Sequence, residues 1–437
     1  MHLAVFTAEF PGRINTFFAR DMCALLRAGV EIDIFPIYPL REQFWPAVPA
    51  YLSPEVLPRD RVHHISPLAG LAGLTPSARV SWRKRLRYLA DTAQVRASAL
   101  RFGPEVLVKS EYACLKAWAW TADTDCVAGD EYDHVLAYWG NYAATAAQVF
   151  HRLLDREVPF SILWHAHDLY ERQAFFRQKL EYADNLLVVC EFNRRFLQSR
   201  VPDLFPRIAD KIHLHHLGLD VQAIEPSFEG RASHTCLAVG RLDPSKGFDD
   251  LLRAAALVIR RGLSLEVELA GDGEEAGTLK RLAASLGIAD HVHFLGWLPF
   301  DAVPQAMRRA TMLVHPSCGL GDAVPTVIKE AMALGTPVIG STAVGIPELL
   351  DQGRCGVLVP ERQPDRLADA IAMLLRRGDV RDELARAGRA FAVRTFDLWR
   401  NGERLADLLR ATRRGTAGVA GVASASSASA KESAMRA

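Results

Sequence analysis

The chain has 437 residues, of which 49% are hydrophobic and 24% charged, and its formal net charge is +1. That balance belongs to folded globular chains and excludes wholesale disorder, which comes with a shortage of apolar surface. A charge so close to zero argues against a dedicated nucleic-acid binder, which carries a strong basic excess.

In chain order, His2 to Thr7 is an apolar, β-leaning run, and Glu9-Phe10-Pro11-Gly12 is a turn. Ile14, Phe17, Phe18, Leu25 and Leu26 then follow a helical period, which Gly29 ends. Val30 to Phe35 reads as a second strand, so the chain opens a doubly wound α/β domain. Its uncharged start looks like a strand and not a signal peptide. Residues 41 to 130 are less regular. Within them, Arg79, Arg83, Lys84, Arg85, Arg87, Arg96 and Arg101 face one acid, Asp91. Trp82, Leu86, Leu89 and Ala93 share one face of that predicted helix. Two readings stand: a surface helix packing its Trp82 face on the domain, or a basic amphipathic helix on an anionic membrane.

Asp133 to Tyr138, Phe160 to Trp164 and Leu186 to Val189 are predicted as later strands of the first sheet. A boundary falls near Gly218 to Ser227. Beyond it, short apolar strands are predicted at Cys236–Gly240, Leu265–Gly271, Val292–Gly296, Met312–His315, Pro337–Gly340 and Gly356–Val359. Helical patterns at Phe248–Arg261, Glu274–Leu286, Asp301–Ala310 and Thr326–Leu334 separate most of them. Repeated βαβ units imply a parallel sheet covered on both faces. The expected division is 1–217, 218–395, a helix at 396–414 crossing back to the first domain, and a disordered tail at 415–437. No apolar run reaches the ~18 residues of a membrane span. The seven cysteines are scattered, without C-x-x-C or zinc spacing, and read as reduced core residues of a cytoplasmic protein.

The densest chemistry lies in His315-Pro316-Ser317-Cys318-Gly319-Leu320-Gly321-Asp322-Ala323-Val324-Pro325, which runs from a strand end into a helix. Pro325 suits the first helical position and Gly335 the residue past the end. A helix N-terminus offers free N–H groups and partial positive charge, so a diphosphate is a natural ligand. Glu330 lies about 7.5 Å further along and can accept from a cis-diol such as ribose. Asp322 can accept from sugar hydroxyls, or can be a loop or capping residue. A second segment, Gly240-Arg241-Leu242-Asp243-Pro244-Ser245-Lys246-Gly247, follows the first strand of the second domain. Arg241 and Lys246 there are placed to meet the same diphosphate, or else to pair with Asp243 or Asp249.

Together these segments resemble the retaining glycosyltransferases of family 4, which have the GT-B fold. The matching pieces are Gly240-Arg241-Leu242 with Lys246-Gly247, Ala270-Gly271-Asp272-Gly273, Phe294-Leu295-Gly296, His315-Pro316-Ser317, Glu330-Ala331-Met332 and Gly345-Ile346-Pro347-Glu348. The resemblance runs from Val5 to about Arg410. It implies two doubly wound Rossmann-like domains with a cleft between them. The C-terminal domain would hold a nucleotide-diphosphate sugar and the N-terminal domain an acceptor. Arg241 and Lys246 would meet the diphosphate, Glu330 the ribose and Asp322 the donor sugar, with Gly240, Gly271, Gly273, Ala323 and Val324 lining the donor. Phe10-Pro11-Gly12 is similar to the family's first loop, in which a glycine lets backbone approach the donor. His165-Ala166-His167-Asp168 is similar to the histidine-rich loop of members that extend polyprenyl-diphosphate-linked oligosaccharides. His165, His167 and Asp168 are therefore expected in the cleft, with Tyr138 and Asn141, although three polar groups in one loop can equally form a local cluster.

The implied activity is sugar transfer to a polysaccharide, oligosaccharide or lipid-linked acceptor in surface polysaccharide synthesis, without metal or other cofactor. The implied setting is cytoplasmic, peripheral to the inner membrane face. Asp322 stands where the family has glutamate, Ala323 where it has glycine, and Tyr138 where many members have histidine. Those departures keep open a non-catalytic subunit, beside a sugar-nucleotide epimerase or hydrolase. Asp123-Thr124-Asp125 is a D-x-D in an irregular acidic stretch and reads as a solvated loop. Gly271-Asp272-Gly273 lacks the third glycine of a dinucleotide fingerprint.

Overall fold

The computed structural model describes residues 1–12, 16–47, 57–69, 80–122, 132–171, 173–299, 301–321 and 323–412. Asn15, Arg79, the Asp123-Thr124-Asp125 motif, Asp322 and the tail from 415 lie outside them.

The chain forms two compact units. The first comprises Met1–Val188, Leu197–His213 and the chain from Gly402; the second comprises Val189–Phe196 and Leu214–Asn401. The first unit carries strands β1 (His2–Thr7), β2 (Glu31–Pro36), β3 (His134–Ala137), β4 (Phe160–Trp164), β5 (Asn185–Val188) and β6 (Ile212–Leu214). Their order is β2-β1-β3-β4-β5-β6, and the pairs from β2 to β5 are parallel. β1 and β3 to β5 are buried nearly throughout, as a sheet covered on both faces requires.

Among the described residues the α-helices in this half of the chain are α1 (Thr16–Arg27), α2 (Trp82–Ala99), α3 (Pro104–Ala122), α4 (Tyr142–Leu153), α5 (Ala166–Tyr170), α6 (Phe176–Tyr182), α7 (Glu191–Arg200) and α8 (Phe205–Ile208). Gly29 ends α1 as expected, with φ +75°. Helix α3 was not expected: the sequence there looks irregular. It buries Trp118 and Trp120, and Lys116, which donates to the Ile65 carbonyl at 2.5 Å.

The second unit holds β7 (Thr235–Val239), β8 (Glu266–Ala270), β9 (Val292–Gly296), β10 (Met312–His315), β11 (Val338–Ser341) and β12 (Val357–Val359). They run parallel in the order β12-β11-β10-β7-β8-β9. Between and after them come α9 (Phe248–Arg260), α10 (Ala276–Ser285), α11 (Ala302–Arg309), α12 (Thr326–Ala333), α13 (Ile346–Leu349), α14 (Pro364–Arg376), α15 (Gly378–Thr395) and α16 (Leu398–Ala411). Leu251, Leu252 and Ala255 of α9 pack with Leu367 and Ile371 of α14 in one buried core. Read from β9, this sheet has the strand order of a dinucleotide-type doubly wound fold, and the direction of winding reverses between β7 and β10.

One expectation about packing is overturned. Helix α2 forms, capped by the Ser81 hydroxyl accepting from the Lys84 N–H at 3.3 Å, but it buries Tyr88, Asp91, Thr92, Val95 and Ala99. Trp82, Leu86 and Leu89 remain 65%, 56% and 55% exposed, so the Trp82 face is not the packed one. Asp91, bridged to Arg152 at 3.0 Å, sits on the buried side instead. Among the described cysteines none is bridged, and all but Cys318 are buried.

Candidate functional site

In an open parallel sheet the crevice for a ligand opens at the carboxyl ends of the strands where the winding reverses. In the second unit that point is flanked by the loops after β7 and β10. The β7 loop begins at Gly240. Asp243 then caps a single tight turn, Pro244–Lys246, by accepting from the Ser245 N–H at 2.9 Å. Arg241 lies two-thirds exposed, its Nε donating to Asp243 Oδ2 at 2.7 Å. Burial opposes ionisation of Asp243, but hydrogen bonds from Ser245 and Arg241 outweigh it and hold the carboxyl below its ordinary range. The stem of Lys246 runs beside Gly240, where an added Cβ would stand 3.7 Å from its Cδ and Cε.

Glycines let neighbouring loops close on this turn. Gly271 has φ +146°, and a Cβ there would fall 1.8 Å from the Gly240 carbonyl oxygen. At Gly273 a Cβ would fall 2.4 Å from the Leu242 carbonyl oxygen. The β8 loop is also hydrogen-bonded to the β7 loop, Leu242 N–H to Asp272 O at 2.9 Å and Glu275 N–H to Leu242 O at 3.0 Å. From the other side the β10 loop donates Cys318 N–H to Ser245 O at 2.8 Å. The result is an open pocket of about 610 Å³ lined by Arg241, Leu242, Asp243, Pro244, Ser245 and Glu274. Asp243, Ser245 and Glu274 were not expected as site residues. The Asp-Pro-Ser turn signal was the clue to the first two.

The β10 loop continues to α12. Ala323 is buried, and its carbonyl accepts from Gly345 N–H at 3.1 Å. Val324 is half-buried, as is Glu330 in the second turn of α12. Pro325 occupies the N-cap and not the first helical position, with φ −60° and ψ +118°. Gly335 follows the helix at φ +73°, as expected. His315 is buried and bonded through Nε2 to Ser317 Oγ at 2.9 Å, which makes it a scaffold for this loop. Glu348 of the Gly345-Ile346-Pro347-Glu348 motif accepts from Glu191 N–H at 2.7 Å. Burial holds its carboxyl above the ordinary range.

In the first unit the corresponding loops follow β1 and β3. Gly12 is half-buried at the end of the β1 loop. Tyr138 departs from expectation. It is fully buried, stacked edge-on against Phe18, and its hydroxyl donates to Asp21 Oδ2 at 2.6 Å. Burial, then the Asp21 charge, raise its hydroxyl well above the ordinary phenol range. A side chain so placed cannot reach an acceptor. Trp139 follows it, half-exposed, with its ring 4.2 Å from that of His165 and 5.7 Å from that of Phe17. Trp139 and Phe17 keep part of their surface exposed, whereas His165, expected in the cleft, is buried at 7% exposure.

Asp168 is also not where direct chemistry would need it. It is 1% exposed, and its Oδ2 accepts from Gly140 N–H at 2.9 Å and His165 N–H at 3.1 Å. Its carboxylate therefore ties the β3 loop to the β4 loop. Lys179, which sequence reasoning missed, completes the clamp. Its buried Nζ donates to Gly140 O at 3.0 Å, Asn141 O at 2.7 Å and Gln173 Oε1 at 2.9 Å. Burial lowers its pKa to about 7, against the pull of Asp168. Asn141 itself is half-buried and precedes the first turn of α4. His167 lies on α5, with its side chain outside the described residues.

Residues 225–391 match the family model "Glycosyl transferases group 1". A GDP-mannose-dependent alpha-(1-6)-phosphatidylinositol monomannoside mannosyltransferase of Mycobacterium tuberculosis is 31% identical over 237 residues, 51% of this chain and 61% of that protein. A D-inositol 3-phosphate glycosyltransferase of Saccharomonospora viridis is 31% identical over 262 residues, 55% of this chain and 59% of that protein. The chain thus spans about three-fifths of the length of these relatives. Among solved structures, Anabaena Alr3699/HepE in complex with UDP superposes with a TM-score of 0.64 at 18% identity, covering 94% of this chain and 99% of that one. Sucrose-phosphate synthase from Thermosynechococcus elongatus gives 0.65 at 18% identity, covering 94% and 98%. The fold is thus of the GT-B type, and the match to the glycosyl transferases group 1 model lies in the second unit.

Proposed function

We propose that this chain transfers a sugar, with retention of configuration, from a nucleotide-diphosphate donor to a lipid-linked or oligosaccharide acceptor in surface polysaccharide synthesis. The observation that carries the reading is the β7 loop, where Arg241 and Lys246 stand at the reversal point of the second sheet beside an open pocket of about 610 Å³. A diphosphate seated there would displace Asp243 as the partner of Arg241 and gain a planar fork and a point charge. The free N–H groups at the start of α12 add partial positive charge at the end of the β10 loop. Glu330 would take the ribose, Asp322 the donor sugar, and the Ala323–Val324 backbone the phosphates. No metal is needed, because these groups already answer the charge that builds on the leaving diphosphate. The acceptor would meet Trp139, whose loop Asp168 and Lys179 hold in place. The work of the protein is positioning and charge stabilisation, with the departing diphosphate taking the acceptor's proton.

Two donors are suggested by the similar proteins: GDP-mannose, on which the mycobacterial relative depends, and UDP-glucose, which Alr3699/HepE binds in one of its structures. The test is calorimetry with both, followed by transfer assays with lipid extracts as acceptor. Arg241→Ala or Lys246→Ala should lower transfer by about 100-fold or more, the scale on which single charge-stabilising groups act. Unchanged turnover in either variant refutes the assignment. Donor binding without any transfer would favour a non-catalytic subunit.

A further inference from the structure

Helix α2 turns an apolar stripe outward. Trp82, Leu86, Leu89 and Leu100 keep 65%, 56%, 55% and 61% of their surface exposed. Ala93 and Ala97, between them, are exposed as well. At 3.6 residues per turn, positions 82, 86, 89, 93, 97 and 100 fall along one line, about 27 Å long from the helical rise. The packed side, Tyr88, Thr92, Val95 and Ala99, points elsewhere. Folding of the unit does not use the stripe, and an aligned apolar surface of this extent marks an interaction site.

Charge selects the occupant. Arg83, Arg87 and Arg101 border the stripe on one side and Arg85 on the other, by the same helical geometry, while Arg96 beside Arg85 is paired with Glu111 at 2.7 Å. The sole acid from residue 80 to 102, Asp91, is buried and bridged to Arg152. Two such rims would repel one another across a self-interface, whereas an anionic lipid surface attracts them. The Arg83 guanidinium lies 5.7 Å from the Trp82 ring centre, which puts a cation and an amphipathic aromatic side by side. No helix among the described residues is long and apolar enough to cross a membrane. A contact through α2 therefore lies in the plane of the bilayer.

We propose that α2 is a membrane-docking helix, with Trp82, Leu86, Leu89 and Leu100 seated among the acyl chains of an anionic bilayer and the flanking arginines at the lipid phosphates. This surface would hold the enzyme beside a lipid-linked acceptor, but the proposal does not rest on the transfer reaction, since vesicle binding needs neither donor nor acceptor. The full chain is to be co-sedimented with phosphatidylcholine vesicles, with and without phosphatidylglycerol, at low and high salt. The expected result is binding to the phosphatidylglycerol vesicles at low salt. The variant W82S/L86S/L89S should lose at least about 10-fold in partition, and R83E/R101E should lose a similar factor at low salt. These side chains are exposed, so the melting temperature should not move, which separates lost docking from lost fold. Failure of the wild type to bind, or equal binding by W82S/L86S/L89S, overturns the proposal. So does a concentration-dependent dimer in sedimentation velocity that the same variant abolishes, which would make the stripe a self-interface.

Discussion

Gly271→Ala is the substitution that most directly couples the fold to the proposed chemistry. Two costs arise. The backbone at φ +146° is one that L side chains rarely adopt, and holding one there costs about 1–3 kcal/mol. The new methyl would also lie 1.8 Å from the Gly240 carbonyl oxygen, where real contacts stay beyond 3.0 Å. The obstacle is backbone, so no side-chain rotation relieves it, and the β7 loop must retreat by more than ~1 Å. That loop carries Arg241 and Lys246, and a misplacement of about 1 Å can lower turnover by ~100-fold. Gly262→Ala is the control: φ there is +78°, but nothing lies within 4 Å of the added carbon. It should cost about 1–2 kcal/mol of stability and leave transfer alone. The assay pairs urea denaturation with donor calorimetry and initial transfer rates on both variants. If Gly271→Ala binds donor and turns over as Gly262→Ala does, the packing of the β8 loop on the β7 loop does not position the cations, and the reasoning fails.

Further outcomes are expected in the first unit. Tyr138→Phe should lose about 1–3 kcal/mol of stability, because buried Asp21 loses a donor, yet keep its transfer rate; a selective fall in kcat/KM for acceptor would return Tyr138 to the site. Lys179→Met leaves three acceptors without their ammonium and should destabilise by about 3 kcal/mol or more, measured by urea titration. Since burial lowers the Lys179 pKa to about 7, the unfolded chain holds that proton more tightly, and stability attributable to this site rises from about pH 7 to 10 in the wild type but not in the variant. Buried His134, bonded to Ser161 Oγ at 2.8 Å, has its pKa lowered to about 4 by burial. Its neutral form is the folded one, so stability should fall as pH drops from about 6.5 to 4, by up to about 3 kcal/mol. His134→Gln should flatten that part of the wild-type curve.

How much of this was legible depends on where the physical cause lies. The strands of the second sheet were readable to within about a residue, because a doubly covered parallel strand must be a short continuous apolar run. Helix α3 was not: from Ser110 to Trp120 it is buried nearly all round, so no polar face sets a period there, and Lys116 within that stretch looks like a solvated residue. For α2 the pattern gave the stripe correctly but not its direction, since apolar periodicity does not say whether a face meets protein or something else. Tyr138 stood at the end of an apolar strand, and only Asp21 and Phe18, distant in sequence, reveal that its hydroxyl points inward. The site glycines were visible as glycines. The reason for Gly271, a carbonyl thirty-one positions earlier, is tertiary and therefore silent in the sequence.

Helix α16 has a consequence for anyone recombining this protein. α16 begins in the second unit, but from Gly402 onward it counts with the first. There Gly402 leaves room for Ala24, whose Cβ would lie 2.3 Å from an added methyl, and Arg410 donates to the Ala28 carbonyl. His134 meets the Leu409 carbonyl at 3.2 Å, and Asn185 bonds Thr412 Oγ1 at 2.6 Å. The amino-terminal half is thus completed by residues made after the second unit. On the ribosome it must wait for α16 before its surface closes, and a chimera joined near residue 213 would inherit a mismatched seam unless α16 travels with the first half.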